Sequence, residues 1–420
     1  MGTLMSVPSG ASEPRGLLAA AASRQVRHAP LWLLALFTFS GTLAMHIFVP
    51  ALPYAAESLH ASIGAMQLTV SLYIAGLAVG QLVYGPVSDR IGRRPTLLVG
   101  LALYTLSGLA AAVAPDAKWL IFARMCQAFG GCAGMVLARA IVRDTTATDE
   151  AARRLAMMNL MVTLGPGVAP IIGAALAEHF GWRSIFYALG ALGALNMLLV
   201  WRLLPETGNV DMRANASVAE LGRHYRQLLK SPAFLGYSIG GGCATTAMYA
   251  FIASAPFIFV HQLYRPAQEA GFYLALLVSG VWMGSVIATR LVRRVALKKL
   301  LVRANGISVV AAVTLLAAVL SGHLNVVIVV ACMFVFTLGV GVAAPAALTE
   351  AISVNPLVTG SASGLYGCAQ MAVGAVCTAM AGLGDDPALA SATVLVVSGA
   401  VAQLSFWVAS KTKKVMAQSA

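Results

Sequence analysis

Three sets of residues in this sequence have the types and spacing to do chemistry, and all three are polar groups set in apolar surroundings. Arg124 and Gln127 stand about one helical turn apart in an apolar run over 119–140. His46 precedes Pro50 by four residues in another such run, over 31–54. The stretch Gly85-Pro86-Val87-Ser88-Asp89-Arg90-Ile91-Gly92-Arg93-Arg94-Pro95 places one acid and three arginines between two apolar flanks. A guanidinium keeps its proton, so Arg124 must face a water-filled cavity, meet a polar partner, or snorkel to an interface. An imidazole can carry a proton, and His46 lies one turn from the point where Pro50 interrupts the backbone hydrogen-bond ladder. Its other reading is a neutral ring satisfied by a carbonyl or hydroxyl of a facing helix. The chemistry on offer is the handling of ions and protons rather than the making of bonds. No phosphate-binding Gly-x-x-x-x-Gly-Lys-Ser/Thr loop occurs, and Gly240-Gly241-Gly242 falls inside an apolar run rather than after a strand. The fifteen carboxylates lie in loops or at the ends of apolar runs, with Glu350 nearest an interior. An acid–base pair inside the apolar runs is therefore lacking, and neither an enzyme nor a cofactor is expected.

The elements that position these groups follow from composition. With 59% hydrophobic and 10% charged residues and a mean hydropathy of +0.82, the chain departs from a soluble globular protein, whose charged fraction is about 25%. Runs of roughly 20 residues with few charges predict twelve transmembrane helices. They lie at 31–54, 66–87, 96–115, 119–140, 155–177, 185–204, 234–259, 271–288, 300–320, 324–347, 360–383 and 389–409. An even number of spans puts both termini on one side. If that side is the cytoplasm, 24 of the 28 basic residues fall in inner segments, and Lys118, Arg183 and Arg265 in outer ones. This positive-inside bias explains the net charge of +13 as a consequence of insertion and leaves no basic domain for nucleic acid.

The expected organisation is a cytoplasmic arm at 1–30, a six-helix bundle at 31–204, a linker at 205–232, a second six-helix bundle at 233–410 and a tail at 411–420. Within the linker Val218, Leu221, Tyr225, Leu228 and Leu229 share one helical face, which predicts an amphipathic helix on the inner membrane surface. The six cysteines all fall inside predicted spans without metal-site spacing, as small packing residues would. Gly76 and Gly80 are spaced to let another helix approach. In the fifth span Gly165, Pro166, Gly167, Pro170 and Gly173 remove hydrogen bonds and side-chain bulk from one face, giving a helix that either bends or is held kinked. A shift of two hundred residues aligns Tyr73 with Tyr273, Gly80 with Gly280, Arg90 with Arg290 and Arg93-Arg94 with Arg293-Arg294, so the halves read as a duplication.

The stretch from Gly85 to Arg94 resembles the cytoplasmic signature of the major facilitator superfamily, Gly-x-x-x-Asp-Arg-x-Gly-Arg-Arg/Lys, at every position. Arg124-x-x-Gln127 is similar to its fourth-span motif, with Ala128 where glycine is usual, and Gly165 to Gly173 resembles the fifth-span motif of drug/proton antiporters. Val49-Pro50-Ala51-Leu52-Pro53, Arg139 to Asp144, Gly181-Trp182-Arg183-Ser184-Ile185-Phe186 and Gly360-Ser361-Ala362-Ser363 together resemble the Bcr/CflA group of multidrug exporters. The resemblance implies two bundles rocking about a central cavity in a bacterial inner membrane. It implies that Asp89, with Arg90, Arg93, Arg143 and Asp144, forms a cytoplasmic latch in the outward-open state, with Asp89 docked on the facing half. Such relatives commonly carry an aspartate where this chain has His46.

The function expected on these grounds is proton-driven export of small amphipathic compounds by a monomer in the bilayer, with His46 and Arg124 at the cavity centre. Tyr73, Gln127, Asn159 and Tyr249 are the expected lining residues. Export of an amino acid or organic acid is the second reading, and a non-transporting membrane sensor of the same fold the third.

Overall fold

A computed structural model describes residues 29–418 apart from 147, 208–217, 293 and 356–357. Residues 1–28 of the expected arm, and Arg293, lie outside the described residues. The described residues are helical without strands, in the order α1 (Leu31–Ile47), a 3₁₀ turn (Val49–Ala51), α2 (Leu52–Ser58), α3 (Ile63–Ile91), α4 (Arg93–Ala112), α5 (Ala117–Thr145), α6 (Thr148–Phe180) and α7 (Arg183–Leu203). The linker helix α8 (Val218–Leu229) follows. The second half holds α9 (Pro232–Thr246), α10 (Met248–Phe257), a π turn (Ile258–Gln262), α11 (Ala267–Leu291), α12 (Leu297–Leu320), α13 (Val326–Ile352), α14 (Thr359–Ala381) and α15 (Pro387–Gln418). Counting α1–α2 and α9–α10 as one span each gives twelve. Eleven satisfy length and hydropathy for crossing a membrane among the described residues. The other, α6, has 33 residues, about 50 Å of helix.

Starts and breaks have local causes. Ser62, Asp116 and Asn325 cap α3, α5 and α13, each side-chain oxygen accepting the backbone N–H three residues on. Pro50 ends the first α-helical segment in the 3₁₀ turn. The charged reversal is tighter than its sequence suggests. Helix α3 runs through Pro86 to Ile91, and Gly92, at φ 117°, is the one residue between it and α4. Only glycine takes that dihedral readily.

Each half has the same neighbour pattern. In the first, α5 packs on α3 and α4, and α4 on α7; in the second, α13 packs on α11 and α12, and α12 on α15. The two bundles meet through α3 against α14 and α6 against α11. Val99 and Leu106, seven residues apart on α4, are 69% and 66% exposed, as a lipid-facing stripe requires.

The seam between bundles is tight at one face and loose at the other. At the face opposite the termini, Gln67 Nε2 donates to Ser254 Oγ (2.9 Å) and Ser71 Oγ to the Ala375 carbonyl (2.7 Å). There a Cβ on Gly64 would sit 2.6 Å from the Gly382 carbonyl oxygen, and one on Gly271 2.8 Å from that of Pro170. Along the same two helices toward the terminal face, a Cβ at Gly367 would fall on the Gln81 side chain and one at Gly364 would sit 3.8 Å from the Gln81 carbonyl oxygen, and only at Gly85 or Gly360 is nothing within 4 Å. The bundles are thus in backbone contact at the far face and part only at the terminal ends of these helices, beyond Gln81 and Gly364. Gln67→Ala removes one buried bond across the seal, about 1 kcal/mol. The expected result is about a fivefold rise in the far-face-open population, measured as faster hydrogen exchange at the far-face ends of α3 and α10.

Candidate functional site

Helices α1 and α5 come close enough for a carbonyl of one to serve a side chain of the other. A Cβ at Gly134 would lie 2.5 Å from the Phe37 carbonyl oxygen, and one at Gly41 3.0 Å from that of Gly131, so bulkier residues would force the backbones apart. Hydroxyl and amide groups then fix α1 in register. Tyr73 donates to the Gly41 carbonyl (2.8 Å), Tyr104 to that of Ser40 (3.1 Å), and Asn196 Nδ2 to Ser40 Oγ (2.6 Å).

Against this scaffold lies Arg124, fully buried. Its Nη1 donates to the Ala44 carbonyl and to Gln127 Oε1, both at 2.9 Å. The guanidinium carbon sits 4.1 Å from the Tyr73 ring centre, 5.4 Å from Phe48 and 5.7 Å from Phe186. Each such cation–π contact contributes about 0.5–2 kcal/mol. No acid pairs with Arg124 among the described residues, and its Nε and Nη2 and the Gln127 Nε2 find no acceptor among them. A buried cation with unused donors is costly to hold.

His46 lies on α1, two residues past the carbonyl that Arg124 holds, and is 4% exposed. Its Nδ1 is 2.9 Å from the Thr42 carbonyl, an acceptor, so that nitrogen carries the proton and Nε2 is left as the base. The ring is 6.1 Å from that of Tyr249 on α10, which places His46 on the seam between bundles. Arg124, Gln127 and Tyr73 belong instead to the interior of the first bundle: the structure gathers them in one cage and sets His46 beside Tyr249 of the other half. Asn159 lies on α6, and its side chain is outside the described residues. Sequence reading missed Phe48 and Phe186 as walls of the cage. Phe48 stands between His46 and Pro50, and Phe186 at the end of the Gly181–Phe186 stretch.

The fifth-span motif seats α6 on α1. Gly173 meets the Ile47 carbonyl and Gly165 the Phe39 ring, while Gly167 has nothing within 4 Å; Pro166 and Pro170 lie inside one continuous helix.

At the terminal face Arg93 joins Asp89 (2.5 Å) and Asp144 (2.8 Å). The Arg94 guanidinium donates to the Trp201 carbonyl (2.6 Å). Glu206, unremarked in the sequence, accepts the backbone N–H groups of Arg93 (3.0 Å) and Arg94 (3.3 Å), holding a carboxylate at the start of α4 where the helix dipole favours it. These bonds all lie within the first half and the start of the linker. Arg90 and Arg143 are exposed beside them. Residues able to hold a metal in a group of three do not occur among the described residues.

The likeness to known proteins agrees with this architecture. The chain is 29% identical over 385 residues to an uncharacterized MFS-type transporter of Bacillus subtilis, covering 91% of this chain and 95% of that one. It is 27% identical over 339 residues to a bicyclomycin resistance protein homolog of Haemophilus influenzae, covering 79% and 83%. In fold it is similar to a D-xylose–proton symporter, with a TM-score of 0.74 at 14% identity over 90% of this chain and 96% of that one. The profile of the Major Facilitator Superfamily matches residues 34–378. With two bundles of six helices and a complete signature hairpin, the chain belongs to the major facilitator superfamily.

Proposed function

We propose that the protein is a secondary transporter that exports small amphipathic toxic compounds in exchange for protons, working as a monomer in the bacterial inner membrane with both termini cytoplasmic. The observation that carries the proposal is the seam, sealed at the far face and parting at the terminal ends of its helices, with His46 and Tyr249 facing each other across it. A two-bundle protein with a seam of this kind transports by opening one face at a time. The excess of basic residues at the terminal face supports a cytoplasmic position for that face. Likeness to a bicyclomycin resistance protein homolog supports a drug as cargo. The proton gradient supplies the energy, and no cofactor enters. Arg124, with no carboxylate beside it, favours neutral or anionic amphiphiles over permanent cations.

The test is uptake of a labelled drug panel into proteoliposomes, with and without an imposed pH gradient. Gradient-dependent uptake is expected, and flux that ignores the gradient would overturn proton coupling. His46→Ala is expected to lower gradient-driven uptake at least tenfold while leaving downhill exchange in place. Gradient-driven uptake unchanged in that variant would remove His46 from the coupling path.

A further inference from the structure

On the far face, which the charge distribution makes the outer one, the two halves enclose a vestibule of about 660 Å³. That is the size of a drug-binding cleft, typically about 300–1,000 Å³. One wall is the end of α2 and the start of α3, with Tyr54, Glu57 and His60. The other is the end of α10, the π turn and the start of α11, with Phe257, His261 and Arg265. Both walls are fixed. His60, at φ 48°, turns the chain out of α2, and on the other side Arg265 N–H donates to the Phe259 carbonyl (2.8 Å). Gln262 Nε2 bonds Asp386 (2.8 Å), tying the π turn to the start of α15.

Two charges of opposite sign face this space from opposite halves, Glu57 from the first and Arg265 from the second. Both are exposed, and neither makes an ion pair or a side-chain hydrogen bond among the described residues. The rest of the lining is apolar apart from Tyr54, His60 and His261. A largely apolar surface with one carboxylate and one guanidinium on facing walls complements a molecule with an apolar body, a cationic end and an anionic end.

We propose that this vestibule binds a small zwitterionic amphiphile from outside, separately from the transport site, and that its occupancy holds the outer seal shut. The second half of the proposal rests on the alternating-access reading. The vestibule walls belong to different bundles, and outward opening draws them apart. A ligand that bridges them binds the sealed state better than the opened one, so it shifts the equilibrium away from opening by that difference in affinity.

Binding of norfloxacin, a fluorescent zwitterion with an aromatic body, to the purified full-length protein in nanodiscs tests the site. Saturable binding is expected, weakened about tenfold by Glu57→Gln and by Arg265→Gln, with Arg265→Lys retaining most of it. In right-side-out vesicles, external norfloxacin is expected to inhibit export of an unrelated drug by the wild type and not by the double Gln variant. Binding that neither Gln substitution changes, or inhibition that survives in the double variant, overturns the proposal. If the wild type exports nothing, the transport reading fails, while the binding comparison still decides whether the site exists.

Discussion

Gly173→Val is expected to abolish transport and to leave little folded protein, and Gly173→Ala to lower stability by about 1–3 kcal/mol or more. A Cβ at this position would fall on the Ile47 carbonyl oxygen, with the Ile47 carbonyl carbon 2.8 Å away, and both contacts are backbone that no rotamer change can move. Helix α1 would have to shift away from α6. That helix carries the Ala44 carbonyl bound by Arg124, the His46 ring and, just beyond its end, Phe48. The damage to packing therefore becomes damage to the site. The control lies on the same helix: Gly167, with nothing within 4 Å, should accept alanine with a gain of about 0.5–1 kcal/mol, because glycine is a poor helix former. Thermal unfolding in detergent and drug uptake, measured on all three variants, check the contrast. Equal behaviour of Gly173→Ala and Gly167→Ala would mean that α1 and α6 are not in backbone contact.

The second large effect has opposite signs for stability and activity. Arg124→Gln is expected to cut transport by about a hundredfold or more while leaving the protein at least as resistant to thermal unfolding. A charge held inside a membrane protein without an acid costs about 2.5–3.5 kcal/mol at a helix centre, of which the three rings and two hydrogen bonds recover a part. Removing it deletes cost and stabilisation together. Arg124→Lys should not restore transport, since an ammonium cannot lie flat on the Tyr73 ring while reaching both the Ala44 carbonyl and Gln127. A residue kept only for packing would show the reverse, with lost stability and intact uptake. The two readouts together distinguish the cases.

Much of this architecture was legible because bilayer physics writes it in composition. Apolar runs of fixed length gave the helices, and the uneven distribution of arginine and lysine gave a common side for the loops. The hairpin was legible because Gly92 and its charged neighbours stand out from their flanks, although the continuation of α3 through Pro86 to Ile91 was not. Arg124 and His46 were found by the same contrast, as polar groups where water is scarce. Of what surrounds Arg124, Tyr73 and Gln127 were expected as lining residues, whereas Phe48 and Phe186 were not: they come from just beyond the end of α1 and from α7, and their meeting with Tyr73 over one guanidinium depends on packing that periodicity does not encode. Glu206 escaped notice because a carboxylate at the edge of a linker looks like a solvated charge until the start of α4 is placed beside it. In the second half the aligned Arg293 lies outside the described residues, so the duplication is carried there by the helix neighbours rather than by the hairpin.

The two faces of the molecule are also held by different materials. At the far face the contacts between bundles are neutral bonds, Gln67 to Ser254 and Ser71 to the Ala375 carbonyl, with glycine against backbone. At the terminal face the hairpin is held by ion pairs among Asp89, Arg93 and Asp144 that water can reach. Dissolved ions screen the second kind over a Debye length of about 8 Å at physiological ionic strength and leave the first kind almost untouched. Salt therefore loosens the terminal-face hairpin and spares the far-face bonds between the bundles, so ionic strength sorts the two kinds of contact in one molecule.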